Sequence, residues 1–274
     1  MSSIITLTTD FGLTGAYVAA MKGVILNINP GVSLVDICHT IGPQDVAQAA
    51  FILGTAYQPF PKGTVHLVVV DPGVGSERRA VILRTPSADF VAPDNGVLSY
   101  VIEQSSSGPA NENQQRELAP ELEAFAITNP LYWRKPVSPT FHGRDIFAPV
   151  AAHLSLGHAL ADFGEKITSL ETLPLTRPSQ GPSGSIIGHV VHIDSFGNLI
   201  TDITSKYLPS KGGPLNIKVG NHTIHGLSHT YAEGEGLLAL IGSSDRLEIS
   251  IRGSSAHSFL NAGVGDKVEV SPQA

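Results

Sequence analysis

Three consecutive valines, Val68-Val69-Val70, end abruptly at Asp71. An unbroken β-branched run reads as a strand buried on both faces, and such a strand needs layers packed above and below its sheet. Pro72-Gly73-Val74-Gly75 follows as a turn, and Arg78-Arg79 arrives on its far side. In open α/β sheets, functional groups collect just beyond the carboxyl ends of strands. Asp71 stands at that place, with an arginine in reach. Taken alone, the stretch also describes a tight turn closed by a surface ion pair.

The residues before it fit the layered reading. Ile4 to Thr9 is β-rich and ends at Asp10-Phe11-Gly12. Val18, Met21, Ile25 and Ile28 recur at helical spacing, predicting a helix from Ala16 to Asn29 stopped by Pro30. Ser33 to Ile37 is a second strand. A second helix opens at Pro43 and carries Val46, Ala50, Leu53 and Tyr57 on one face. Thr64 to Val70 is the third strand. This alternation predicts a central, mostly parallel sheet. Further strands are expected at Ala80–Arg84, Phe90–Ala92 and Glu123–Thr128. Short helices are expected at Val97–Glu103 and after Phe141-His142-Gly143-Arg144-Asp145. Ser105 to Pro120 is polar, with the run Asn111–Gln115, and reads as a mobile surface loop.

Proline and glycine then punctuate Thr172 to Gly184, which marks a linker. Residues 1–171 form the expected α/β domain and residues 185–274 a second domain. Beyond the linker the pattern is short strands: Ile186–Ile193, Leu199–Ile203, Asn216–Val219, Leu237–Ile241, Arg246–Ile251 and Lys267–Val270. Gly220-Asn221 suits a turn between two of them. A small antiparallel β-barrel fits this series.

Composition narrows the function classes. A net charge of −7, with no Lys/Arg cluster, argues against a nucleic-acid partner. Cys38 is the single cysteine, so no disulfide can form within the chain. No apolar run reaches membrane-spanning length and the first residues lack a signal-peptide pattern, so a cytoplasmic protein without a membrane partner is expected. Eleven histidines invite a metal, but His189/His192 and His222/His225 sit three apart on strands and point to opposite faces. No catalytic metal is expected.

Several residues suit chemistry on a small molecule. Asp10, at the end of the first strand, can accept from both hydroxyls of a ribose diol, or it can serve as a turn or cap. His142, before a helix, can move a proton near neutral pH, so Asp71, Arg78 and His142 make an acid–base set if they meet. Phe196-Gly197-Asn198, after Asp194, offers a ring to stack on a base and an amide for an adenine edge; the same residues make an ordinary β-turn.

In this order these stretches resemble the S-adenosyl-L-methionine (SAM) hydrolase family, the SAM hydroxide adenosyltransferases, whose relatives are halogenating enzymes that use SAM. The resemblance rests on Thr8 to Gly12, Met21 to Val24, Val70 to Arg79, Ala92 to Gly96, Thr140 to Phe147, Asp194 to Asn198 and Leu247 to Ala256. It implies an N-terminal α/β domain joined to a C-terminal β-barrel, and a homotrimer with SAM held between subunits. The implied reaction is hydrolysis of SAM to adenosine and methionine, with no cofactor. It carries catalytic roles to Asp71, Arg78 and His142, ribose binding to Asp10 and adenine contact to Asn198. It also carries the methionine ammonium to Asp194 and the methionine carboxylate to Ser243. Phe196 joins the substrate-binding set. Gly15 and Arg252 depart from the family pattern at substrate contacts. Halogenating relatives carry hydroxyl-bearing residues where Asp71 and His142 stand. The two rival readings are a halide-dependent SAM synthase and a SAM or nucleoside sensor without turnover.

Overall fold

The computed structural model describes residues 3–105, 115–209, 214–234 and 236–273. The chain divides into two compact units, Met1–Pro174 and Leu175–Ala274.

The first unit comprises β1 (Ile4–Thr9), α1 (Tyr17–Ile28), β2 (Ser33–Cys38), α2 (Val46–Ala56), β3 (Thr64–Val69), β4 (Ala80–Arg84), β5 (Ala88–Pro93) and α3 (Ser99–Gln104). It continues with β6 (Gln115–Glu117), β7 (Glu123–Ala126), α4 (Ala148–Ser155), β8 (Lys166–Ile167) and β9 (Ser169–Glu171). Seven strands form one sheet in the order β2-β1-β3-β5-β4-β7-β8. The four strands β2, β1, β3 and β5 run parallel, and β4, β7 and β8 extend the sheet by antiparallel pairing. β3 lies inside the parallel part, and every one of its residues is buried.

Strand alternation sends β3 side chains to two separate cores. Val65, Leu67 and Val69 pack with Met21, Ile25, Val150 and Leu154, the inner faces of α1 and α4. Val68 and Val70 pack on the other side with Ala49, Leu53, Val101 and Ile102 from α2 and α3. The unit is therefore a sheet between two helical layers, as a strand buried on both faces demands.

Two expectations need adjusting. The second helix begins after Asp45, whose carboxylate caps it by accepting from the Gln48 N–H at 2.8 Å; Pro43 lies before the cap. Of the loop expected from Ser105 to Pro120, residues 106–114 lie outside the described residues, whereas Gln115–Glu117 is a strand that pairs with β9.

The second unit comprises β10 (Ser179–Gln180), β11 (Ile186–Ile193), β12 (Leu199–Thr204), β13 (Leu215–Val219), β14 (His222–His225), β15 (Leu237–Ile241), β16 (Arg246–Ile251), α5 (Ala256–Leu260) and β17 (Lys267–Pro272). The antiparallel order is β14-β13-β17-β11-β12-β16-β15, with β10 attached to β11. The outer strands β14 and β15 come together, so the sheet curls into a nearly closed barrel. Its interior holds Val190, Leu199, Ile217, Leu247, Ile249 and Val268, each at alternate positions of its strand.

Candidate functional site

β1 and β3 are parallel neighbours, with Thr9 opposite Val69. Asp10 and Asp71 therefore leave the sheet side by side, at the carboxyl ends of adjacent strands. The Asp10 carboxylate accepts from the Gln44 N–H at 2.8 Å. Beyond Asp71 the chain doubles back through Gly75, whose φ of +78° few side chains tolerate. A Cβ there would stand 2.5 Å from the Pro139 carbonyl oxygen, so only glycine lets this turn rest on the segment leading to His142.

That close approach brings three side chains together. Arg78 grips Asp71 with two bonds: Nε donates to Oδ1 at 2.8 Å, and Nη2 donates to Oδ2. Nη2 also lies 3.0 Å from His142 Nδ1. The guanidinium lies over the Phe147 ring, 5.0 Å from its centroid. The pair is buried, with side-chain exposures of 11% for Arg78 and 5% for Asp71. Burial, seconded by the positive charge of Arg78, pushes the His142 imidazole below its ordinary pKa against the opposing pull of Asp71 and Asp145. A guanidinium has donors only, so His142 Nδ1 accepts and the neutral ring carries its proton on Nε2. Arg79, one residue on, turns the other way and pairs with Asp94 at 2.5 Å.

Neighbouring residues hold this arrangement in place. Asn95 donates to the Val70 carbonyl at 2.9 Å and so fixes the end of the β3 segment. His142 leads into a π-helical turn, Gly143–Phe147, ahead of α4. The Asp145 side chain in this turn is fully buried and receives Arg144 at 2.7 and 2.8 Å, Arg134 at 3.1 Å and the Ser138 N–H at 2.9 Å. Burial pushes the Asp145 carboxyl up, but these donors outweigh it and hold it below its ordinary value. Asp145 thus braces both flanks of His142. A charge at the start of an apolar helix was the one sequence signal for it. Phe11 and Tyr17 each meet Phe141 edge to face and each other at a tilt beside the same loop, with centroids 5.1–5.7 Å apart.

In the second unit, the loop between β11 and β12 carries Asp194, Phe196 and Asn198. Asp194 Oδ1 accepts from the N–H groups of Phe196 and Asn198, each at 2.9 Å, and Oδ2 accepts from Asn198 Nδ2 at 2.8 Å. Gly197 makes the turn at φ +81°, against Ser255. Asn198 is buried, while Phe196 is 77% exposed. These residues line a cavity of about 710 Å³ with Tyr231, Ile251, Arg252 and Gly253 to Ser255. Its size suits a drug-sized ligand. Ser243 lies in the β15–β16 turn and is not part of the cavity lining. Tyr231 had no sequence signal. No helix among the described residues is long and apolar enough to cross a membrane.

A three-layer α/β unit with a buried Asp–Arg–His set at its strand ends, and a barrel-like unit with a loop-lined cavity, define a two-part small-molecule enzyme architecture. The sequence matches the SAM hydroxide adenosyltransferase N-terminal domain over residues 5–164 and the C-terminal domain of the same family over residues 188–269. This chain belongs to that family. It is 33% identical to a protein of Salinispora arenicola named (R)-S-adenosyl-L-methionine hydrolase, over 97% of both chains. A fluorinase of Nocardia brasiliensis is 29% identical over 97% of both chains. A crystal structure of an uncharacterized conserved protein from Thermotoga maritima matches with a TM-score of 0.86 and 36% identity, covering 97% of this chain and 99% of that one.

Proposed function

We propose that this chain hydrolyses SAM to adenosine and L-methionine by attack of water or hydroxide on the ribose C5′. Membership of the family supports the reaction class. The observation that carries the assignment is the buried contact of Arg78 with both Asp71 and His142.

The substrate supplies its own leaving group, because a sulfonium departs as a neutral thioether. As the C5′–O bond forms, the C5′–S bond breaks and its electron pair goes to sulfur. Attack by hydroxide annihilates charge, so a dry pocket favours it. The protein's task is to hold the nucleophile in line behind C5′. Arg78 fixes the Asp71 carboxylate with two hydrogen bonds, and each of its oxygens retains a lone pair for a water hydrogen. The His142 Nε2–H is then free to donate to the nucleophile's oxygen, and the proton lost by water passes to Asp71. No metal or further cofactor enters. Asp10 takes the ribose diol, Asn198 and Phe196 the adenine, and Asp194 and Ser243 the methionine end. The site is completed between copies of a homotrimer, as the family resemblance implies.

The test is product analysis of the purified chain with SAM, with and without added halide. Adenosine and methionine in both conditions, abolished by Asp71→Ala with SAM binding retained, support the proposal. A halogenated deoxyadenosine would establish the synthase instead, although a buried carboxylate repels a halide. Saturable binding without turnover would establish a sensor.

A further inference from the structure

Glu248 occupies an unusual place. On β16 its neighbours Leu247 and Ile249 face the barrel core, so Glu248 points to the opposite side. There it lies opposite Ile200 on one flanking strand and Leu240 on the other. An apolar residue would suit that setting, yet a carboxyl is held there at 5% exposure. Among the described residues no cation pairs with it. Burial and the charge of Asp194 push the Glu248 carboxyl up, against the opposing bond from Tyr231. Buried carboxyls without a counter-charge cost stability, so this one calls for a role.

Its contacts lead to the cavity. Tyr231 lies in the loop before β15, its side chain lines the cavity, and its hydroxyl donates to Glu248 Oε2 at 2.7 Å. Tyr231 is 46% exposed, so the hydroxyl is what anchors this ring. The phenol is pushed up to about 12, chiefly by burial and then by Glu248, which keeps it a donor at neutral pH. Arg252 Nη1 reaches the Ala232 carbonyl at 3.4 Å and steadies the same loop. Glu248 Oε1 packs against Gly242, where a Cβ would stand 1.8 Å away, so the turn before Ser243 closes on the same carboxyl.

We propose that Glu248 is a positioning residue for the ligand of this cavity: it holds Tyr231 in the wall and thereby sets substrate affinity without touching the reacting carbon. The inference rests on the reading that the cavity takes SAM.

The test is steady-state kinetics of SAM hydrolysis by the purified full chain, with thermal melts as the check on folding. Tyr231→Phe and Glu248→Ala each raise KM at least about tenfold, the value of a lost hydrogen bond to a charged group, and leave kcat within about threefold. The double variant is no worse than Glu248→Ala, because both changes cut one link. Glu248→Gln keeps an acceptor for the phenol and restores KM to within about threefold of wild type. If Glu248→Ala does not fold, Tyr231→Phe and Glu248→Gln carry the test. Unmoved KM in Tyr231→Phe, or Glu248→Gln falling as far as Tyr231→Phe, overturns the inference alone. A wild-type chain that neither binds nor hydrolyses SAM overturns the functional reading, and the inference with it.

Discussion

Replacing Arg78 with methionine removes a guanidinium that donates twice to Asp71 and once to His142, and leaves a stem of similar bulk over Phe147. Asp71, at 5% side-chain exposure, then keeps a charge with no partner and little water. Breaking a buried pair in this way costs about 3–5 kcal/mol. For a unit of this size that corresponds to a fall in Tm of roughly 6–20 °C, at 2–4 °C per kcal/mol. Trp133 is the chain's single tryptophan and belongs to the first unit, so its fluorescence in a urea titration follows the unit that contains the pair. The control is Lys166→Met, which breaks an ion pair with Glu123 whose partners are 58% and 47% exposed. That change costs at most about 1 kcal/mol. Adding Asp71→Asn to Arg78→Met leaves no buried charge and recovers part of the loss. If Arg78→Met costs no more than Lys166→Met, the pair is not a buried one and the reasoning fails.

Two further outcomes follow from the same geometry. His142→Ala binds SAM near wild-type affinity but forms adenosine about 10²- to 10⁴-fold more slowly, as single-turnover assays beside calorimetric binding will read; wild-type rates would remove His142 from the mechanism. His66 is fully buried, hydrogen-bonded to Thr6 at 2.8 Å, and pushed by burial from 6.5 to about 4. Between those pH values the unfolded chain takes up a proton that the folded chain refuses, so stability is full above 6.5 and declines as pH falls. About 3 kcal/mol is lost by pH 4, from 2.5 pH units at 1.36 kcal/mol each. Urea titrations across this range measure the slope, and a slope unchanged in His66→Gln would refute the assignment.

Much of the first unit was legible because its signals are local and long. β1, α1 and β3 declared themselves by period and composition, and the βαβαβ order dictated parallel pairing. β8, β9 and β10 span only two or three residues, too few to show a period, and exist because partners lie alongside. β14 has four mostly exposed residues, so its burial pattern says little, and the hairpin after Gly220-Asn221 defines it. The site divides the same way. Asp71 stood out as a carboxylate at a strand end; that stretch by itself offered Arg78 or Arg79, and the family resemblance chose Arg78. The choice depends on which way consecutive side chains face once the Gly75 turn closes. Asp145 draws on Ser138 and Arg134, 7 and 11 residues away, as well as on the adjacent Arg144, and Tyr231 meets Glu248 17 residues away. Only folding brings those groups together.

The central claim is that water or hydroxide attacks C5′ of SAM in this chain. The direct measurement is hydrolysis in ¹⁸O-enriched water, with mass analysis of both products. Attack at C5′ yields adenosine that carries one ¹⁸O at its 5′ position, and methionine without label. Unlabelled adenosine, or release of a product other than adenosine and methionine, would contradict it.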